Sequence, residues 1–206
     1  VNPVPEIAIA EEYVICLSAT NISIPPNLST FLPNPPIDTM LNTTQYTFQW
    51  YKGLDDSPVN IIAGETASTY IPTEPGDFTV IATNIKTGCT IPATTKVIGA
   101  YPPESITVEL VSKAFSENNV LEVSVVGNGD YQYKLDSGSW QMASTFDRVN
   151  GGDHIIYVRD LYNCNEISKM RVVIDYPKYF TPNGDGYNDT WNIKGISLQP
   201  NAKMFI

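Results

Sequence analysis

The stretch "GDFTVIATNIKTGC", Gly76–Cys89, is a strand followed by a turn. Phe78, Val80 and Ala82 alternate onto one face, the period of a half-buried β-strand, and Asn, Gly and Lys then break the pattern. A second copy, "GDHIIYVRDLYNC", occupies Gly152–Cys164 and is one residue shorter. The segments opening each copy also correspond, "PEIAIAEEYVIC" from Pro5 against "PESITVELVSKAF" from Pro103. Repetition on this scale predicts two related modules, over residues 1–100 and 101–176. They meet at "IGAYPPES", where Pro102 and Pro103 form a short, stiff linker. A further boundary falls in "DYPKYF" near Pro177 and sets off residues 177–206.

The same alternation recurs along the chain. "YTFQWYK" places Tyr46, Phe48 and Trp50 opposite Thr47, Gln49 and Tyr51. "VLEVSVV" sets Leu121, Val123 and Val125 against Glu122 and Ser124, and "YQYKL" aligns Tyr131, Tyr133 and Leu135. "GLDDSP", "TEPGD", "GNGD" and "LDSGS" supply turns between them. No amphipathic helix of ordinary length is visible. The expected architecture is all-β, built from sandwiches.

Composition narrows the function classes. Only 17% of the 206 residues are charged and 42% are hydrophobic, the balance of globular modules. The net charge of −10 divides as −6, −5 and +1 over residues 1–100, 101–176 and 177–206. An acidic body argues against nucleic acid as a partner, because phosphates require Lys and Arg. It also repels anionic membrane surfaces, and no run approaches the ~20 apolar residues of a membrane helix. Direct membrane insertion is therefore not expected. The opening "VNPVPEI" lacks a basic n-region and an apolar h-region, so a secretion signal is expected upstream.

Of the three cysteines, Cys16 lies near the start of the first module and Cys89 near its end. Val80 stands two residues after Phe78, where an immunoglobulin domain carries its inter-sheet cysteine. A Cys16–Cys89 bridge is therefore expected to staple the first and last strands at one end. In the second module Ala114 or Phe115 stands opposite Cys16, which leaves Cys164 as an expected buried free thiol.

A search for chemistry finds no catalytic constellation. His154 is the single histidine and lies within an alternating strand. Asp55 and Asp56 are adjacent in a turn, where neighbouring side chains diverge. No phosphate-binding glycine loop or nucleophile elbow is present. Trp140 and Tyr51 are candidates for a sugar-stacking platform, against the commoner placement of such aromatics in a core or edge strand. Calcium is the single cofactor with a candidate site. In "TPNGDGYNDTWN" from Thr181, Asn183, Asp185 and Asp189 take ligand positions of an EF-hand loop and Gly186 its turn position. Asn192 stands where that loop requires Glu. Asn-Gly and Asp-Gly pairs equally build tight turns with side-chain hydrogen bonds.

The segment "FTPNGDGYNDTWNIKGI", Phe180–Ile196, resembles the start of the gliding-motility-associated C-terminal domain of Bacteroidetes, the type B sorting domain of the type IX secretion system. Phe180, Thr181, Pro182, Asn183, Gly184, Asp185, Gly186, Asn188, Asp189 and Trp191 carry the match. The preceding modules resemble companions of that domain. "TFQWYK" and "PGDFTVIATNIKTGC" are similar to Ig-like or PKD-like modules, and "GDYQYKLDSGSWQ" and "GGDHIIYVRDLYNC" to gliding-adhesin repeats. The resemblance implies tandem immunoglobulin-like sandwiches followed by the beginning of a sorting domain that continues beyond Ile206. It implies a secreted, non-catalytic surface adhesin or stalk, concerned with adhesion or gliding, or else the spacer modules of a secreted enzyme or glycan-binding protein. Its partners would be the type IX translocon and a PorP/SprF-type outer-membrane protein, reached through the periplasm. On this reading Asp185 and Asp189 cap turns, Gly184 or Gly186 takes φ > 0, and Phe180 and Trp191 pack on a sheet formed by later residues. "DTM", Asp38–Met40, resembles the Bacteroidetes O-glycosylation signature, which would make Thr39 an acceptor in an accessible proline-rich loop.

Overall fold

The computed structural model describes residues 6–113, 118–176, 179–191 and 193. Ala114, Phe115, Pro177 and Asn192 lie outside these residues, as does everything from residue 194 onward. The chain divides into two compact units, both β-sandwiches of the immunoglobulin-like class. One comprises Val1–Pro102 with Leu161–Asn165, the other Pro103–Asp160 with Glu166–Ile206. The short segment Leu161–Asn165 thus folds with the first unit, although the sequence repeat assigns it to the second module.

The first unit contains β1 (Glu12–Leu17), β2 (Ser23–Ile24), β3 (Ile37–Asp38), β4 (Tyr46–Lys52), β5 (Thr69–Tyr70), β6 (Gly76–Asn84) and β7 (Thr90–Ala100). Its larger sheet runs β2-β1-β7-β6-β4, and β3 pairs with β5. The quoted alternation becomes packing here. Tyr46, Phe48 and Trp50 of β4 and Phe78, Val80 and Ala82 of β6 are all buried in one core. Trp50 is fully enclosed, donates its indole N–H to the Ala67 carbonyl at 3.0 Å and stacks on Tyr70 with ring centroids 5.2 Å apart. An apolar ring fills the sandwich while its polar atom finds an acceptor, as burial of Trp demands.

β1 is covered on both faces, which explains its continuous apolar run. Tyr13, Ile15 and Leu17 face the sandwich core. Val14 and Cys16 point the other way, into a smaller cluster with Ala100 and Cys164, against which Ile24, Leu32 and Tyr162 pack.

That arrangement corrects the expected cysteine pairing. Cys16 is bridged to Cys164, with Cα atoms 5.9 Å apart, and Cys89 is an exposed free thiol. A Cys16–Cys89 bridge would need the first and last strands to run antiparallel, so that the end of β1 met the start of β7. They are parallel, and Cys16 lies opposite Ala100. Cys89 immediately precedes β7, at its far end, eleven strand residues away, or about 35 Å at the ~3.3 Å rise of a strand. Cys164 reaches Cys16 instead because Leu161–Asn165 folds into the first unit.

The second unit contains β8 (Ser105–Leu110), β9 (Asn119–Val126), β10 (Tyr131–Leu135), β11 (Thr145–Val149), β12 (Gly152–Asp160) and β13 (Glu166–Val173). Its sheets run β11-β9-β8 and β10-β12-β13. Ile106, Val108, Leu121, Val123, Phe146, Ile156, Val158 and Val173 form the core between them. A register shift between Phe146 and Val149 accommodates Arg148 at φ 55°, so that both apolar neighbours remain buried. Among the described residues no helix is long and apolar enough to cross a membrane.

Candidate functional site

The loop from Phe180 to Trp191 is organised around one carboxylate. Asp189 Oδ1 accepts the backbone N–H groups of Asn183 at 3.0 Å and Gly184 at 2.7 Å, and Oδ2 accepts that of Gly186 at 2.7 Å. Aiming the N–H groups of residues 183, 184 and 186 at one side chain requires left-handed residues. Gly184 and Gly186 supply them at φ 78° and 86°, and Asn188 does so at 54°. Asp185 makes a second, smaller turn. Its Oδ1 accepts the Tyr187 N–H at 2.7 Å, and its Oδ2 accepts the Asn183 side-chain amide at 2.8 Å. The Thr181 N–H donates to the Asn188 carbonyl at 2.8 Å and closes the loop at its base. Pro182 occupies the one position of the turn's first limb that donates no N–H, as its ring requires.

The electrostatics follow from these donors. The Gly184 and Gly186 N–H groups hold the Asp189 carboxyl below its ordinary value, and the Tyr187 N–H and the Asn183 amide do the same for Asp185. Asp185 is exposed and Asp189 partly so, and what burial there is acts in the opposite direction, so hydrogen bonding accounts for both shifts. Each oxygen of Asp189 already faces the positive end of an N–H dipole, the position a cation would otherwise take. Among the described residues no group of three His, Cys, Asp or Glu side chains is gathered for a metal ion. Asn183 is bonded to both carboxylates within the turn, through its N–H to Asp189 and its side-chain amide to Asp185.

Aromatic side chains surround the loop. Phe180 and Trp191 are 51% and 40% exposed, and Tyr179 and Tyr187 are more so. Trp191 packs at a tilt on Tyr176, with centroids 5.8 Å apart. The expected sheet against which Phe180 and Trp191 would pack falls on residues outside those described. Tyr176, Tyr179 and Tyr187 are absent from the sequence-derived set, although the density of aromatics between Tyr176 and Trp191 marks them.

The remaining candidates separate. Thr39 is a correction: it is 1% exposed and its hydroxyl donates to the Ser68 carbonyl at 3.0 Å, so the folded chain offers it to no modifying enzyme. It is buried because the strand pair β3–β5 draws Ile37 and Thr39 inward across the proline-rich loop. His154 lies in β12 with Nδ1 at 2.7 Å from Asp136 Oδ2 and Nε2 at 2.8 Å from the Asn150 carbonyl oxygen. Partial burial raises the Asp136 carboxyl, but the Ile155 N–H and His154 outweigh it and bring the group below its ordinary value. Asp55 accepts the Ser57 N–H and the Asn60 amide, fixing a turn. Trp140 carries Arg159 at 4.0 Å and Lys134 at 4.7 Å from its ring centroid, so cations already stack on it. Tyr51 is half-buried in β4 beside its bridge partner Ile61.

No family model matches the chain, and no curated protein sequence matches it. Among solved structures, extracellular domains 3–5 of Drosophila OTK are similar at 12% identity and a TM-score of 0.45, over 81% of this chain. The chain spans 61% of the length of that OTK fragment. Murine CEACAM1b is similar at 13% identity and a TM-score of 0.47, over 77% of this chain and 94% of its own. The four N-terminal Ig domains of Dscam1 isoform 8.4 are similar at 11% identity and a TM-score of 0.36, over 83% of this chain and 44% of that one.

Proposed function

We propose that these residues belong to a secreted, non-catalytic cell-surface adhesin or stalk whose export depends on a type B sorting domain of which residues 177–206 form the beginning. In this reading the type IX translocon reads the folded sorting domain, and a PorP/SprF-type outer-membrane protein retains the chain at the surface. The immunoglobulin-like units are its cargo. The observation that carries the reading is the loop closed on Asp189. The residues of the sequence match, Thr181 to Gly186 with Asn188 and Asp189, are the ones whose hydrogen bonds and left-handed backbone build it. A motif whose side chains are engaged in shaping its own backbone suits recognition of a shape. Passage through an oxidising periplasm suits the Cys16–Cys164 bridge.

The test is surface fractionation of the full-length protein in its native host. Deleting everything after Asp175 is expected to abolish surface display while the chain still accumulates inside the cell. Display of the truncated chain at the level of the intact one would overturn the sorting role.

A further inference from the structure

We propose that the Cys16–Cys164 disulfide makes this chain a tension-bearing tether, in which pulling force bypasses almost the whole fold. The argument rests on connectivity alone. Cys16 is the penultimate residue of β1, Cys164 follows β12, and the bridged positions lie 148 residues apart. Tension entering the chain before Cys16 and leaving it after Cys164 crosses the sulfur–sulfur bond. Every strand from β2 to β12 hangs in the closed loop between those positions and lies outside the covalent path of the force. Only residues leading into Cys16, then β13 and the Asp189-centred loop, lie in the path of the force.

The bridge is built to persist. Both cysteines are 1% exposed and sit in the cluster formed by Val14, Ala100, Ile24, Leu32 and Tyr162. Backbone hydrogen bonds hold the segment around Cys164: the Asn27 N–H donates to the Cys164 carbonyl at 2.8 Å, and the Phe31 N–H to the Tyr162 carbonyl at 3.1 Å. The Asn163 amide adds a third, to the Ser29 carbonyl at 2.9 Å. Exchange needs a thiolate to reach a sulfur, and this packing denies access. The free thiol, Cys89, is exposed and lies inside the bypassed loop, about 35 Å along β7 from the position paired with Cys16.

The consequence is a chain that cannot be drawn out. At ~3.3–3.6 Å per residue, the bypassed loop hides about 500 Å of length that the reduced chain would release. A surface stalk anchored at one end and loaded at the other would keep the length between the bridged cysteines from being released under pull, even where β13 is drawn off β12. The mechanical property stands apart from the sorting proposal, since a chain exported by any route would possess it.

Single-molecule pulling on the intact chain, with handles at its two ends, tests it. The oxidised protein is expected to reach a final contour length about 500 Å shorter than the same protein reduced with phosphine in the unfolded state. Cys164→Ser is expected to give the long value under both conditions, and Cys89→Ser the wild-type difference. Final contour length is read after complete extension, so the result holds even where a variant folds poorly. Equal lengths before and after reduction, or a difference abolished by Cys89→Ser, would overturn the proposal.

Discussion

Asp189 concentrates the site's logic in a single side chain. Its carboxylate gathers the N–H groups of Asn183, Gly184 and Gly186, and their donation lowers its pKa. A carboxyl held lower in the folded loop than in the open chain favours the loop while ionised. That contribution is complete above the ordinary value of 3.8 and is lost as pH falls through the depressed value beneath it. The amide proton shifts of Gly184 and Gly186 are therefore expected to titrate together, with a midpoint below 3.8 that Asp189→Asn abolishes. A midpoint at or above the ordinary value would contradict the hydrogen-bonded loop. This much was legible in the residues, because Asn-Gly and Asp-Gly pairs encode left-handed turns locally. The burial of Thr39 was not, because it depends on the pairing of β3 with β5 across thirty residues of loop and strand.

At the scale of elements, alternation identified the core-facing sides of β4, β6 and β9, since burial of a strand face imposes a period of two directly. What alternation does not encode is strand direction. β1 reads equally well as parallel or antiparallel to β7, and this one choice moves Cys16 from the Cys89 end of β7 to the Ala100 end. The apolar run in β1 signals two covered faces, yet does not name Leu161–Asn165 as part of the second cover. The core itself makes a sharper prediction at Trp50, which is fully buried and hydrogen-bonded to the Ala67 carbonyl. Trp50→Phe keeps an aromatic ring but leaves that carbonyl without its donor and opens a small void. Denaturant unfolding is expected to register a loss of about 1–3 kcal/mol for the first unit. An unchanged midpoint would mean that the indole N–H is dispensable.

At the scale of the molecule, the repeat "GDFTVIATNIKTGC" and "GDHIIYVRDLYNC" encoded two sandwiches but hid how the chain is covalently tied. The two copies align cysteine with cysteine, Cys89 with Cys164, but only the first module holds a second cysteine, so pairing within modules bridges Cys16 to Cys89 and leaves Cys164 over. Tertiary structure breaks that equivalence, burying Cys164 beside Cys16 and leaving Cys89 exposed. Closing so long a loop removes chain entropy worth about 5 kcal/mol from the unfolded state on the chain-entropy model. On the proposed function the sandwiches and the loop after them carry separable tasks, with export falling to the loop. Gly186 and Gly88 offer a matched pair for testing this. Both have positive φ, 86° and 69°, and a Cβ at either position would meet no atom within 4 Å. Valine at either site therefore imposes backbone strain of ~1–3 kcal/mol without a steric clash. The decisive measurement is the surface-displayed fraction of the full-length protein in its native host. Gly186→Val is expected to remain inside the cell or be degraded, while Gly88→Val reaches the surface like the wild type. Normal display of Gly186→Val would contradict a sorting address built on the shape of this loop.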